Sequence, residues 1–390
     1  MFILAATLLG AETFAFRQQK GDKYRILSQV EEEVYINGFY SHTAEILNRI
    51  SLEIVELLGD KAKVEATFQT SERASGSYGV YEWGRDYETE FLRDSRGRYT
   101  IGPEYFMPVL RDIPVFPEGD LSPGDIWRYP AREVHDLRDS LGVESPYHFP
   151  IDVEYTYLGK EEMQGRFFDA VGIRYTIFHR ASVPPGASPH FPVRITGISE
   201  QILLWNAEEG RPEFSREEFD IFFDLLSGDS IEYRGRAEGR VVEAVLMNRQ
   251  ELADNIRRNL EEQGVEDPDV QINDRGVTIT LRNIQFPPDS AVLWASEKAK
   301  LDEICRVLEG VAGRDIEVAG HTALAGTEAG RYQLSLDRAR AVGNYLLEQG
   351  CRKPDEIIIR GFGAEQPVAD NETPRGQSLN RRVEITILEN

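Results

Sequence analysis

Along the first two thirds of the chain, apolar and polar residues change places every second position. Ile46, Asn48, Ile50, Leu52 and Ile54 alternate with Leu47, Arg49, Ser51 and Glu53. Val64, Ala66 and Phe68 alternate with Lys63, Glu65 and Thr67, and Val171, Ile173, Tyr175 and Ile177 alternate with Arg174 and Thr176. A period of two sends successive side chains to opposite faces of a strand, so residues 23–247 are predicted to be β-rich. Turn residues punctuate these runs at Leu58-Gly59-Asp60, Glu118-Gly119-Asp120, Ser122-Pro123-Gly124-Asp125 and Ser227-Gly228-Asp229. Prolines cluster over 107–116 and 183–192, where they interrupt ladders and mark long connections or edges. A break into two subdomains is expected near 117–130. One strand face carries Arg, Lys and Glu while the other is apolar. A lipid-facing strand needs an uncharged outer face, so a soluble antiparallel barrel or sandwich fits better than a transmembrane barrel.

From Asn248 the period changes. Leu252, Ile256 and Leu260 recur at i, i+4 and i+8 between charged residues. That spacing predicts an amphipathic helix over 248–264, stopped by Gly264 and joining the β-rich region to the C-terminal third of the chain. Strand and helix patterns then alternate. Val277–Leu281 reads as a strand, and a helix begins at about Ser296 with Leu301, Ile304, Val307 and Leu308 on one face. Ile316–Gly320 reads as a strand, 333–347 as a helix with Leu334, Val342 and Leu346 inside, and 356–360 and 382–388 as two further strands. The order βαβαββ implies helices packed on a mixed sheet over 265–390. The fold class expected of the whole is α+β multidomain.

The chain has 390 residues, 41% of them apolar and 28% charged, with a net charge of −23. Phosphate backbones and anionic headgroups repel such a surface, which excludes nucleic acid as a partner class. No run reaches the 18 or so apolar residues that a spanning helix needs. Residues 1–11 instead have the length and small-residue ending of an export signal, although no Lys or Arg precedes the apolar run and no cysteine comes after it. Cys305 lies on a helical pattern and Cys351 comes just after a helix end, which predicts two buried free thiols. The six histidines, His42, His135, His148, His179, His190 and His321, have no metal-ligand spacing. No nucleophile elbow, phosphate loop or zinc-protease helix is present in the sequence. No catalytic residue, metal or cofactor is therefore expected. Trp127, Tyr129, Tyr155, Tyr157, Trp205, Phe222 and Phe223 are expected to fill a core.

Several short motifs of the last third fall in a recognisable order. Asn283-Ile284-Gln285-Phe286 with Ser290, Ala291 and Leu293 opens the set. Gly320-His321-Thr322, Leu334-Ser335-x-x-Arg338-Ala339, Gly361-x-Gly363 with Pro367, and Asn380-Arg381-Arg382-Val383-Glu384-Ile385 complete it. Over about 277–390 the chain resembles the OmpA-like C-terminal domain shared with peptidoglycan-associated lipoproteins and MotB. The resemblance implies non-covalent binding of peptidoglycan, and with it a periplasmic place at the outer membrane or cell wall, where outer-membrane or periplasmic proteins are further partners. It also implies that Arg338 takes the carboxylate of the stem-peptide diamino acid, a pairing that suits a guanidinium. Asn380, Arg381 and the His321-Thr322 loop would position the peptide. In the family an Asp after Gly-His-Thr takes the ammonium, but here that position is Ala323, and Arg331 stands where the family has Asn. Glu328 on the same loop is the nearest alternative carboxylate. Two other functions stand beside this one: an envelope scaffold whose OmpA-like domain has lost its ligand and docks a protein, and a periplasmic carrier of an apolar molecule in the β-rich region.

Overall fold

The computed structural model describes residues 12–74, 80–242, 248–262, 268–273, 275–281, 286, 290–311 and 313–388. The expected export segment 1–11, the Gly264 helix stop, Asn283–Gln285 and the 287–289 turn lie outside these. The chain divides into two compact units, one of Met1–Thr70 with Arg85–Val242 and one of Ser71–Gly84 with Glu243–Asn390.

The first unit is built from β1 (Lys23–Ile36), β2 (Phe39–Leu58), most of β3 (Lys61–Ala74) and β4 (Tyr81–Asp94), then β5 (Tyr99–Ile101), β6 (Leu110–Arg111) and β7 (Ile126–Leu137). One turn of helix, α1 (Arg138–Leu141), precedes β8 (Val143–Met163), β9 (Arg166–Arg180), β10 (Pro192–Asn206), β11 (Arg211–Leu225) and β12 (Ser230–Val242). Strands β6 to β12 pair antiparallel in chain order, and β12 then pairs with β1 and β1 with β2. The alternation seen in the sequence has the expected consequence. Val64, Ala66 and Phe68 on β3, and Val171, Ile173, Tyr175 and Ile177 on β9, all point into apolar interiors.

All of the named aromatics but Phe222, which is half-buried and outside the cluster, belong to the core or pack against it. Trp205 packs edge-on against Phe16 and Phe116 at 4.9 and 4.8 Å between centroids, and Trp127 stacks on Tyr155 at 5.2 Å. Phe116, Leu121 and Ala131 belong to one cluster, so the core runs straight through the stretch where a subdomain break was expected. The opposite faces carry ion pairs between directly facing residues: Arg128–Glu154 (2.5 Å), Arg174–Glu200 (3.1 Å), Arg194–Asp224 and Arg236–Glu31 (2.5 Å). Such pairs are worth little individually, but they keep this face in water.

The second unit holds α2 (Arg249–Glu262), β13 (Val270–Asn273), β14 (Gly276–Leu281), α3 (Ala295–Glu309), β15 (Ile316–Gly320), α4 (Glu328–Glu348), β16 (Ile357–Gly361), α5 (Pro374–Asn380) and β17 (Val383–Leu388). The sheet runs β13–β14–β17–β15–β16, antiparallel except for the parallel β15–β16 pair. Two elements lie outside the βαβαββ expectation. β13 makes a hairpin with β14, and α5 is seven residues long, too short for a helical stripe to stand out in the sequence. The expected stripe of α2 is present, but Ala253, Ile256 and Leu260 are buried in the same core as Val277, Val318 and Ile385. The helix is thus an element of this unit, not a free connector.

The expectation of two free thiols is wrong. Cys305 and Cys351 form a disulfide across 46 residues, with Cα atoms 5.3 Å apart. A helical pattern and a helix end do not keep two cysteines apart when the helices pack together. α3 lies beside the C-terminal turns of α4, where the Tyr345 hydroxyl donates to Asp302 at 2.6 Å.

Candidate functional site

The motifs meet at one end of the mixed sheet, where β15 and β16 both finish in glycine. Gly320 is required there, because a Cβ would sit 2.0 Å from the backbone oxygen of Ser335 on α4. The helix therefore lies directly on the strand end, which is the physical content of the Gly-His-Thr and Leu-Ser motifs occurring together. His321 is next in the chain, with its backbone N–H donating to the Arg382 carbonyl at 3.0 Å. Its ring is fully buried and stacks on Phe362 at 5.2 Å and 10°. Nε2 lies 3.6 Å from Glu384 Oε2, an ion-pair distance beyond hydrogen-bond reach. Burial pushes the His321 pKa down, Arg382 adds to this, and Glu384 opposes it. Burial alone would raise Glu384, yet His321 and Arg382 together hold it at about 2. His321 is the larger of the two influences, and Arg382, whose Nε donates to Glu384 at 2.6 Å, acts in the same direction.

Thr322 donates its backbone N–H to Gly363 at 2.7 Å, tying this loop to the one after β16. Its hydroxyl is buried and makes no hydrogen bond, an uncommon state for a buried hydroxyl. Ala323 is buried as well, and its methyl brings no carboxylate to the loop. Arg338 is reached from α4. Its Nε donates to the Ser290 carbonyl at 3.2 Å, and its guanidinium lies over the Phe286 ring at 5.0 Å. The first and third motifs are therefore joined by this one side chain.

Asn380, at the end of α5, is fully buried with every polar group used. Its Oδ1 accepts from the Val368 and Ala369 amides at 2.9 Å each, and its Nδ2 donates to Ala369 O (2.8 Å) and Asn371 Oδ1 (2.9 Å). Asn371 Oδ1 in turn accepts the Leu324 amide at 3.0 Å. Asn380 thus holds the His321–Thr322 loop at one remove, as a positioning residue. Of the two adjacent arginines, Arg381 is exposed. Arg382 is the buried brace, donating to the Gln366 carbonyl at 3.2 Å besides Glu384. Alternation along the strand entry puts one side chain out and the next in.

Beside this loop lies an open groove of about 610 Å³ lined by Glu328, Arg331, Tyr332, Phe362, Gly363 and Glu365, with Ala329 and Ala364. Thr327 caps α4 here, its hydroxyl accepting from the Gly330 amide at 3.2 Å, which places Glu328 in the first turn. Arg331 is anchored to the Gly326 carbonyl at 2.6 Å. Sequence reasoning reached Glu328 and Arg331 but missed Tyr332, Phe362 and Glu365. Phe362 is the unspecified centre of Gly361-x-Gly363, and that motif was the available signal. Among the described residues no group of three or more His, Cys, Asp or Glu side chains is arranged to hold a metal ion.

Comparison with known proteins settles what this end of the chain is. Residues 285–381 match the OmpA family. The C-terminal segment is an OmpA-like domain. The match leaves the β-rich unit uncovered. Outer membrane porin F of Pseudomonas fluorescens is 32% identical over 105 residues, 27% of this chain and 32% of that protein. The peptidoglycan-binding protein ArfA of Mycobacterium bovis is 34% identical over 104 residues, again 27% of this chain and 32% of the relative. The chain therefore spans about a third of the length of these relatives. A solved outer membrane protein of Borrelia burgdorferi is 35% identical, covers 31% of this chain and 96% of its own, and has a TM-score of 0.27. No helix among the described residues is long and apolar enough to cross a membrane.

Proposed function

We propose that the OmpA-like domain is a non-covalent tether to peptidoglycan and that the chain works in the bacterial cell envelope, on the periplasmic side of the outer membrane. The observation that carries this reading is the groove beside the Gly320–Thr322 loop, which presents both signs of charge between two aromatic rings. A stem-peptide diamino acid ends in a zwitterion, and such a groove is complementary to it. Arg338 does not line this groove and is buried against Ser290 and Phe286, and its role as carboxylate clamp rests on its place in the Leu-Ser-x-x-Arg motif. With Ala323 buried and neutral, the ammonium falls to Glu328, with Glu365 a second carboxylate among the groove's lining residues. His321, Thr322 and Asn380 position the loop, and Arg381 is exposed at the rim. ArfA, a relative across this segment, is named for binding peptidoglycan. The antiparallel meander of the first unit supports a soluble barrel or sandwich displayed by this tether.

The test is co-sedimentation of the full-length protein with purified sacculi. The native chain is expected to pellet, and Arg338→Ala and Glu328→Gln each to bind about 10- to 100-fold more weakly, the loss of one charge-assisted contact of about 1.5–3 kcal/mol. Ala323→Asp is expected to strengthen binding. Native protein that stays in solution while Ala323→Asp pellets would replace the tether with the scaffold reading, in which the disarmed domain docks a protein.

A further inference from the structure

The OmpA-like unit contains a piece of chain that lies some two hundred residues before the family match. Ser71–Gly84 belongs to this unit, although the flanking parts of β3 and β4 do not. Within it, Tyr81 and Glu82 pair in parallel with Ile358 and Ile359, laying a short strand on the edge of β16 that β15 leaves open. Val80 is buried in the domain core. It sits over Gly343 of α4, where an added Cβ would meet Ile359 at 3.0 Å and Ile357 and Val80 at 3.4 Å. Gly343 thus leaves a socket in the helix that Val80 fills together with two residues of β16. Glu82 pairs with Arg340, which also holds Asp337 at 2.5 Å. The Arg360 guanidinium lies over the Trp83 ring at 4.9 Å and over the Phe362 ring at 4.6 Å.

We propose that Val80–Trp83 is a built-in donor strand, which completes the exposed edge of the OmpA-like domain and sets the groove wall through Trp83, Arg360 and Phe362. An open sheet edge recruits whatever strand can pair with it, and here the chain supplies its own. The apolar side chain enters a socket, the acid meets a base and the indole meets a guanidinium. Three kinds of complementarity on four consecutive residues specify one register. Phe362 both lines the groove and stacks on His321, so the position of Trp83 is felt at His321 across three successive contacts, through Arg360 and Phe362. Arg360 is a positioning residue in this arrangement. The donor strand stands whether or not the groove holds peptidoglycan.

The test is hydrogen exchange by mass spectrometry on the full-length protein, comparing the native chain with Val80→Asp, Glu82→Arg, and Glu82→Arg combined with Arg340→Glu. Peptides over Ile357–Gly361 are expected to exchange about tenfold faster or more in the two single variants, while Val383–Leu388 on the far side of β15 stays protected. The combined variant is expected to recover most of the protection, since the pair is restored with its signs exchanged. Trp83→Ala, followed through the His321 imidazole resonances, is expected to shift them by changing the seat of Phe362. Unchanged exchange at Ile357–Gly361 in Val80→Asp overturns the donor strand. So does uniform loosening of the whole sheet in every variant, because the segment is then ordinary core and not a separable strand. Unmoved His321 resonances in Trp83→Ala overturn the coupling to the groove.

Discussion

Replacing Asn380 by alanine tests the positioning argument most directly. The amide makes four hydrogen bonds from a fully buried side chain, two accepted from backbone N–H groups and two donated. Each neutral hydrogen bond contributes about 1 kcal/mol net, and a buried group left unpaired costs about 1–3 kcal/mol. The Val368 side chain is exposed and Ala369 half-buried, so water regains part of the lost bonding at those amides. The expected loss is therefore about 2–4 kcal/mol. It should also spread in one direction, because Asn371 is released from Asn380 and holds the Leu324 amide. Native-state hydrogen exchange reads both effects together. The amides of Leu324, Val368 and Ala369 should lose protection, and the slowest amides of α4 should report the loss of global stability. A change below about 1 kcal/mol with Leu324 still protected would refute the chain of contacts.

Four further outcomes are expected. Replacing both cysteines by serine should destabilise the OmpA-like domain by about 4 kcal/mol, the loop-closure value for a sequence separation of 46, measured by urea unfolding. Gly320→Ala should cost about 1–3 kcal/mol or more, since the clash is with backbone that cannot swing away, and a thermal melt would detect it. Glu384 is depressed from the usual carboxylate range to about 2, so its contribution is fully present above about pH 4.5 and lost as the pH falls towards 2. His321, whose pKa burial lowers, also costs stability as the pH falls below its ordinary range, and Glu384→Gln should flatten the stability profile between pH 5 and 2. Trp205→Ala should cost about 3–5 kcal/mol in the β-rich unit, where the indole packs on Phe16 and Phe116.

What the sequence made legible was local and periodic. β3 and β9 stood out because one face is buried at every second residue, and α3 and α4 because their inner stripes keep helical spacing. In β2 the buried residues are Ala44, Leu47, Arg49, Leu52 and Ile54, so Ile46 and Ile50 of the expected inner face are only half-buried. What escaped is non-local. Val80–Trp83 has nothing in its own pattern to say that it leaves one unit for another, because its partners are Ile358, Ile359 and Gly343. The disulfide escaped for the same reason, being a fact about two helices packing together and not about either cysteine. At the site the motifs gave the right residues but not their tasks. Asn380 turned inward to hold a loop, and of two adjacent arginines the buried one was Arg382. The groove walls Tyr332 and Glu365 carry no signal beyond being a ring and a charge on a surface.

The Cys305–Cys351 bond encloses in one covalent ring the whole stretch that carries His321, Thr322, Glu328, Arg331 and Arg338. The exposed loop from Leu324 to Thr327 lies inside that ring, and it is the place where a protease would most readily cut. A single cut there leaves the two fragments joined, with Arg338 and the Gly320–Thr322 loop still on opposite arms of one molecule. Nicked protein should therefore migrate as an intact chain until a reductant separates it. In an environment rich in proteases and poor in thiols, the site can survive damage to its own loop.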